Sequence, residues 1–305
     1  MFNWLLSALR APTRNLCVAA CAACGARHGL AQESAELFSA PQPPYELTAD
    51  LGYELPPLAE HRCRPDRPSL LSEIVADHQH FYDAHTMGWL AAGVGAHAVI
   101  SNTNIDEFLR EEYQQNIRNA DTDEWSEVFH MSKFFGEGTY VLPIYAATAL
   151  AGIPFNENTV LGQTGQWGER SIRTVLVGAP PLLVLQSFIG ASRPGEKHSE
   201  SHWEPFQDDN GVSGHAFMGA VPFLSAAKMA EHRSVKALLY VGSAMPAISR
   251  VNDDAHYTSQ AILGWSIAYL AANAVDDTYD AERLPQVFPG PVGAEGNGVN
   301  VLWRY

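Results

Sequence analysis

Two histidines, two arginines and three serines fall in three short segments of the C-terminal half, and their types suit the handling of an oxyanion. The segments are Ser192-Arg193-Pro194, then Ser213-Gly214-His215, then Ser249-Arg250 with His256 following after residues 251–255. Arginine presents a planar fork of donors that matches phosphate-like oxygens in a way lysine does not. Serine is a favoured helix N-cap, and glycine lets backbone N–H groups approach a ligand closely. A helix start carries unpaired N–H groups and the positive end of the helix dipole, so Ser213-Gly214-His215 has the makings of an anion seat. Asn252 and Asp253 read as the cap of the last helix, which puts His256 in its first turn. Two imidazoles beside two guanidiniums suit phosphoryl transfer, in which one imidazole attacks and the other protonates the leaving oxygen.

Taken singly, each segment has a bland reading: Arg-Pro is a loop, Ser-Gly-His a helix cap, Ser-Arg a surface. Order and spacing change that. Residues 195–211 separate the first segment from Val212-Ser213, and residues 216–248 separate the second from the third. In this arrangement the chain resembles the type-2 phosphatidic-acid phosphatase superfamily, which includes bacterial acid phosphatases and vanadium haloperoxidases. The family pattern is Lys, six residues, Arg-Pro, then Pro-Ser-Gly-His, then Ser-Arg, five residues, His, three residues, Asp. The resemblance runs over roughly residues 130–275. It implies an all-α fold, a helical bundle with a six-helix core of the phosphatase/haloperoxidase type. It also implies His256 as a nucleophile that forms a phosphohistidine and His215 as general acid. Arg193, Arg250, the Ser213 hydroxyl and the Gly214 backbone N–H are then the phosphate holders. The family chemistry needs no metal or other cofactor.

Three positions depart from the pattern. The motif lysine is Gln186, the proline before Ser213 is Val212, and the aspartate four residues after the nucleophile is Gln260. Gln260 can still touch the ring of His256 and hold its tautomer, but it cannot stabilise a cationic imidazole as a carboxylate does. Gln186 can donate a hydrogen bond to phosphate but brings no charge. The expected function is a phosphohydrolase cleaving a phosphomonoester or pyrophosphate, with a small phosphorylated compound or a lipid phosphate as substrate. The alternative enzyme is a vanadium-dependent haloperoxidase, with vanadate as its cofactor. The missing lysine and the chain length count against it. A catalytically weakened oxyanion-binding protein is the alternative from another class.

The elements that must position these residues read as helices near 70–83, 86–101, 104–117, 123–132, 136–152, 168–191, 213–231, 234–247 and 253–275, with loops at 152–168 and 193–211. The helical phosphatase-like domain covers 69–280. A Pro-rich arm, 32–68, precedes it, and a Gly- and Pro-rich tail, 281–305, follows, with one short strand or a docked end at its close. His78, His80 and His85 with Asp77 and Asp83 invite a metal reading. On one helix, however, 78 and 80 face different ways, and only residues three or four apart converge. Lys197, His198 and His202 read as solvated loop residues, and Trp167, Trp203 and Trp265 as core or rim aromatics.

Composition bounds the rest. The chain has 305 residues, 46% hydrophobic and 17% charged, with a net charge of −15. That is a globular composition, and its acidity argues against nucleic acid as a partner. Arg10 and Arg14 ahead of the apolar run 15–26, with Gly29-Leu30-Ala31 before Gln32, read as an export signal over 1–31. The expected location is therefore periplasmic or otherwise extracytoplasmic. Val18-Ala19-Ala20-Cys21 resembles a lipobox, so a lipid anchor is one membrane alternative and spanning helices are another. The apolar run 174–190 comes closest to a span but is bounded or interrupted by Arg173, Pro180, Pro181 and Gln186. A water-soluble bundle is favoured over membrane association.

Overall fold

A computed structural model describes residues 69–119, 133–196 and 201–283 and the strands 286–292 and 296–302. The export signal, the Pro-rich arm, the helix expected at 123–132 and the loop residues Lys197 and His198 lie outside the described residues. The elements are α1 Leu70–Phe81, α2 Ala84–Ser101, α3 Ile105–Glu112 continued by a π turn Tyr113–Ile117, α4 Lys133–Gly136, α5 Gly138–Gly152, α6 Val160–Ile189, α7 Gly214–Met229, α8 Arg233–Asn252, α9 Thr258–Arg283, β1 Gln286–Val292 and β2 Gly296–Leu302. The architecture is a helical bundle, all-α apart from the terminal hairpin.

Helix starts follow the capping chemistry of the sequence. Ser69 accepts a hydrogen bond from the Ser72 N–H, Asp83 from Thr86 and Thr159 from Gly162. Each satisfies one of the orphan donors of a first turn. The core sits where α6, α7 and α9 meet, with Val177, Ile189, Phe217, Val221, Leu224, Ile267 and Ala271 all buried. Helix α5 packs along α6, α8 along α7, and α1 and α2 along α9.

The structure corrects the reading of 152–168 as a loop, since α6 begins at Val160. The glycines that suggested a loop, Gly162, Gly165 and Gly168, are spaced at three. A Cβ at Gly165 would collide with the backbone of Gly152, and one at Gly168 with Thr148 and the Tyr145 carbonyl. Gly165 and Gly168 serve the close approach of α5 to α6, whereas Gly162 sits against the backbone of Asn156 and Glu157 in the connection before α6. The tail is corrected too: β1 and β2 pair antiparallel from Gln286↔Leu302 to Val292↔Gly296. Pro289 and Pro291 argued against a strand, but in a two-stranded ribbon both strands are edges, where a missing N–H can face outward.

The metal candidates on α1 resolve differently. Arg173 of α6, itself buried, donates from Nε to Asp77 Oδ2 at 2.7 Å and from Nη2 to Asp77 Oδ1 at 2.7 Å. Its Nη1 reaches Glu73 at 3.0 Å and Glu169 at 3.4 Å. One turn away, Arg170 pairs with Asp276 of α9 at 2.7 Å, and Lys228 of α7 lies 3.4 Å from the same carboxylate. Both guanidiniums stand over the Tyr279 ring. Asp77 is thus an ion-pair partner that ties α1 to α6. Among the described residues α6 alone is long and apolar enough to cross a membrane, by length and composition.

Breaking a buried pair from one side strands a charge at about 3–5 kcal/mol. Arg173→Met is therefore expected to lower the melting temperature sharply, and Arg173→Met with Asp77→Leu to recover part of the loss. Thermal melts followed by circular dichroism check both.

Candidate functional site

Four chain segments deliver the candidate residues. Helix α6 ends at Gly190, and the chain runs through buried Ser192 to Arg193, whose side chain is exposed. A turn follows, in which the Arg193 N–H donates to Glu196 Oε2 at 3.0 Å. Ser213 is the N-cap of α7, its Oγ accepting from the Ala216 N–H at 3.3 Å, so Gly214 and His215 occupy the first turn as expected. Glycine is required nearby: a Cβ at Gly264 of α9 would collide with the Ser213 carbonyl. The loop before α5 supplies Glu137.

The third motif differs from the sequence reading. Ser249 and Arg250 lie in the last turn of α8 rather than before α9, and Asn252-Asp253 ends α8 instead of capping α9. His256 precedes α9, which starts at Thr258. The chain reverses through Asp254, whose φ of 54° is left-handed. The N–H groups of Ala255 and His256 both donate to the Arg250 carbonyl, at 3.0 and 3.2 Å. The backbone of the candidate nucleophile is thereby tied to that of a candidate phosphate holder.

Gln260 joins all three motifs. Its Oε1 lies 3.0 Å from His256 Nδ1 and accepts from the Tyr257 N–H at 3.2 Å. Its Nε2 donates to the Ser192 carbonyl at 2.9 Å, and its own carbonyl accepts the Ser213 N–H at 3.0 Å. A carbonyl cannot donate and a backbone N–H cannot accept, so these two partners fix which end of the amide is oxygen. Oxygen toward Nδ1 means that Nδ1 carries the proton and Nε2 holds the free lone pair. The contact does not come from i, i+4 facing on one helix. Gln260 is the third residue of α9 reaching back to the Tyr257 cap position, half of a capping box.

His256 is buried, and burial is the main cause that pushes its pKa from 6.5 down to about 3. The Gln260 hydrogen bond opposes that, while the charges of Arg193, Arg250 and His215 add to it. Burial also lowers the Arg250 pKa, with Asp253 and Glu137 acting to raise it and Arg193 to lower it. Among the described residues Arg250 Nε is buried without a hydrogen-bond partner, and its Nη1 lies 3.9 Å from Asp253 Oδ2. A buried donor of this kind is costly to leave unmade and suits an oxyanion that completes it.

His215 has a partner that sequence reading missed. Its Nε2 lies 3.0 Å from Glu137 Oε1, and both side chains are partly exposed. The signal available was Gly136-Glu137-Gly138, a break between α4 and α5 that the helical reading of 136–152 covered over. Gly136 is packed against His215, where a Cβ would come within 3.0 Å of its ring. Gln186 lies one step behind the site, its Nε2 donating to the Val212 carbonyl at 2.8 Å. Trp167, Trp203 and Trp265 are half-buried and pack against the core, with indole N–H bonds to the Pro222 carbonyl, His97 and Ser243.

No curated protein matches the chain. A solved structure, described as the first transmembrane PAP2 type phosphatidylglycerolphosphate phosphatase from Bacillus subtilis, is similar over 70% of this chain and 95% of its own, at 17% identity and a TM-score of 0.40. The family model of the PAP2 superfamily matches residues 174–281. That stretch contains Gln186, Arg193, Ser213, Gly214, His215, Arg250, His256 and Gln260.

Proposed function

We propose that the chain is an extracytoplasmic phosphohydrolase that cleaves a phosphomonoester or a pyrophosphate, of a small molecule or a lipid, through a phosphohistidine on His256. One observation carries the proposal. The imidazole is buried and neutral, its Nδ1 proton is held by Gln260, and its Nε2 lone pair is left free beside two arginines.

In this reaction His256 Nε2 attacks phosphorus as the bond to the leaving oxygen breaks. His215 gives that oxygen a proton. A water then attacks the phosphohistidine, His215 takes its proton, inorganic phosphate leaves, and the Nε2 lone pair is restored. Charge developing on the equatorial oxygens is met by Arg193, Arg250 and the free N–H groups of the first turn of α7, which are in place before the reaction begins. Glu137 holds the His215 ring in register and accompanies its charge while it is protonated. Gln260 is neutral, so the ring of the intermediate keeps its positive charge, which favours phosphoryl transfer onward to water. Because the arginines supply the positive charge, the reaction is proposed to run without a metal.

His256→Ala is expected to reduce turnover of p-nitrophenyl phosphate by about a thousandfold or more while the helical signal is retained. Orthovanadate should inhibit competitively as a mimic of the five-coordinate transition state, and EDTA should not inhibit. Unchanged turnover in the His256→Ala variant would exclude it as nucleophile. Loss of activity to EDTA, restored by a divalent cation, would exclude the metal-free route.

Gln260→Glu keeps the length of the side chain but sets a second oxygen against the Ser192 carbonyl, which loses its donor. Stability should fall by about 1–3 kcal/mol. The new carboxylate should raise the His256 pKa and bring the acid limb of kcat/KM up into the measurable range, since only the neutral imidazole attacks. A pH–rate profile unchanged from the wild type would contradict the assignment.

The depressed pKa of His256 also sets a stability window. Between about pH 6.5 and pH 3 the unfolded chain binds a proton that folded His256 refuses. Stability is therefore lost as pH falls through that window, by up to about 1.4 kcal/mol per pH unit for each such group. His97, lowered to about 4 mainly by burial, adds to the slope between pH 6.5 and 4. Melting temperatures measured from pH 7 to pH 4 should fall, and fall less steeply in His256→Asn.

A further inference from the structure

The loop that carries His256 is gripped from outside by α3 and its π turn, which lie outside the matched family segment. Arg110 donates to both carboxylate oxygens of Asp254, from Nε at 2.6 Å and from Nη2. Tyr113 Oη donates to Asn252 Oδ1 at 3.1 Å, and Gln114 Nε2 donates to the Val251 carbonyl at 3.0 Å. On the far side of His256, buried Asp106 accepts the Ser259 N–H at 3.0 Å and the Ser259 hydroxyl. The contacts thus reach residues 251, 252 and 254 before the histidine and 259 after it.

Two features mark this as more than packing. Asp254 is one of only two non-glycine residues at positive φ among the described residues. That conformation disfavours most side chains and persists where surroundings over-determine it, and the two-pronged Arg110 contact is what surrounds it here. Second, Tyr113 and Gln114 reach the loop from a π turn, a form that re-aims side chains and recurs at functional sites. Ser259 is at the start of α9, so the Asp106 carboxylate also meets unpaired N–H groups at that helix's positive end. Gln260, one residue on, can hold Nδ1 only while the start of α9 and the reversal at Asp254 keep their spacing.

We propose that Asp106 and Arg110 of α3 are positioning residues for His256, clamping residues 251–259 on both sides so that its Nδ1 meets Gln260 and its Nε2 stays free to attack. This rests on the reading of His256 as the nucleophile. The clamp acts through the loop, and neither residue touches the reacting atoms.

The test uses the full chain with Arg110→Gln, Asp254→Asn and the double variant. It reads steady-state kinetics on p-nitrophenyl phosphate, vanadate binding, and the 15N shifts of the His256 ring in histidine-labelled protein. Asparagine tolerates left-handed φ, so Asp254→Asn removes charge without forcing the backbone. The Arg110–Asp254 pair is about a third exposed, so folding should survive its loss. The expected result is kcat lowered about tenfold, with KM and the vanadate Kd within about twofold. The double should be no slower than the worse single, and a mixture of ring tautomers should replace the single Nδ1–H form. If Arg110→Gln lowers the melting temperature but leaves kcat and the ring nitrogens as in the wild type, Arg110 is a structural brace and the proposal falls. Should Arg110→Gln fail to fold, Arg110→Lys keeps the charge, loses the fork and must show the same tautomer mixing. A wild type without phosphatase turnover would sink the proposed function, while the ring shifts would still decide the clamp: shifts that do not respond to Arg110 overturn it.

Discussion

A side-chain amide has an end that accepts and an end that donates, and at Gln260 both ends are committed. The Ser192 carbonyl demands the donor and the Tyr257 N–H demands the acceptor. Because the amide cannot flip without breaking both bonds, the proton on His256 can sit only on Nδ1. The same residue's carbonyl holds the N–H of Ser213, the cap of α7. The end of α6, the start of α7 and the start of α9 are thus referenced to one fully buried residue. A carboxylate could accept from His256 and from Tyr257 but could not donate to Ser192. The departure from the family pattern at this position is therefore matched by a donor bond that only the amide makes.

Charge is distributed in two layers around this hub. Toward the ligand side stand Arg193, Arg250 and His215, with Glu137 as the carboxylate that meets His215. Deeper in the bundle, Arg170 and Arg173 are neutralised by Asp77, Glu73, Glu169 and Asp276. Four carboxylates are thus paired with these deeper arginines rather than with those around His256. The depressed pKa of His256 follows from both effects: little water reaches the ring, and its charged neighbours are cations.

The helical class and the meeting of the three motifs were legible because they depend on local chemistry: caps, apolar periodicity, and residue types whose spacing is short. Ser213 illustrates this, since its role as cap follows from the Ser-Gly-His start alone. Less legible was anything set by tertiary approach. Asn252-Asp253 has the composition of a helix start, yet it closes α8, because the left-handed turn at Asp254 is stabilised by Arg110, 144 positions away in the sequence. Glu137 and His215 are 78 positions apart, and no periodicity links them. Gly165 and Gly168 looked like punctuation because the partner that requires them lies on another helix. Gln260 touches His256 as the i+4 spacing suggested, but through a capping interaction, a geometry that spacing does not distinguish from a shared helix face.

The glycine stripe between α5 and α6 carries one more consequence. With no side chain between Gly152 and Gly165, the two helices rest main chain against main chain there, and Gly168 sits against the Tyr145 carbonyl and the Thr148 hydroxyl. An interface of that kind has no compressible layer of methyl groups, so α5 can neither slide nor tilt by small repacking steps. Glu137 stands at the first turn of that rigid strut, opposite His215. Any chain that kept every residue of the three motifs but gained a methyl group in the stripe would misplace the carboxylate that meets His215. The interchangeable surface of the bundle thus stops well short of the candidate site, and part of the chain's tolerance to sequence drift is decided by residues that have no side chains at all.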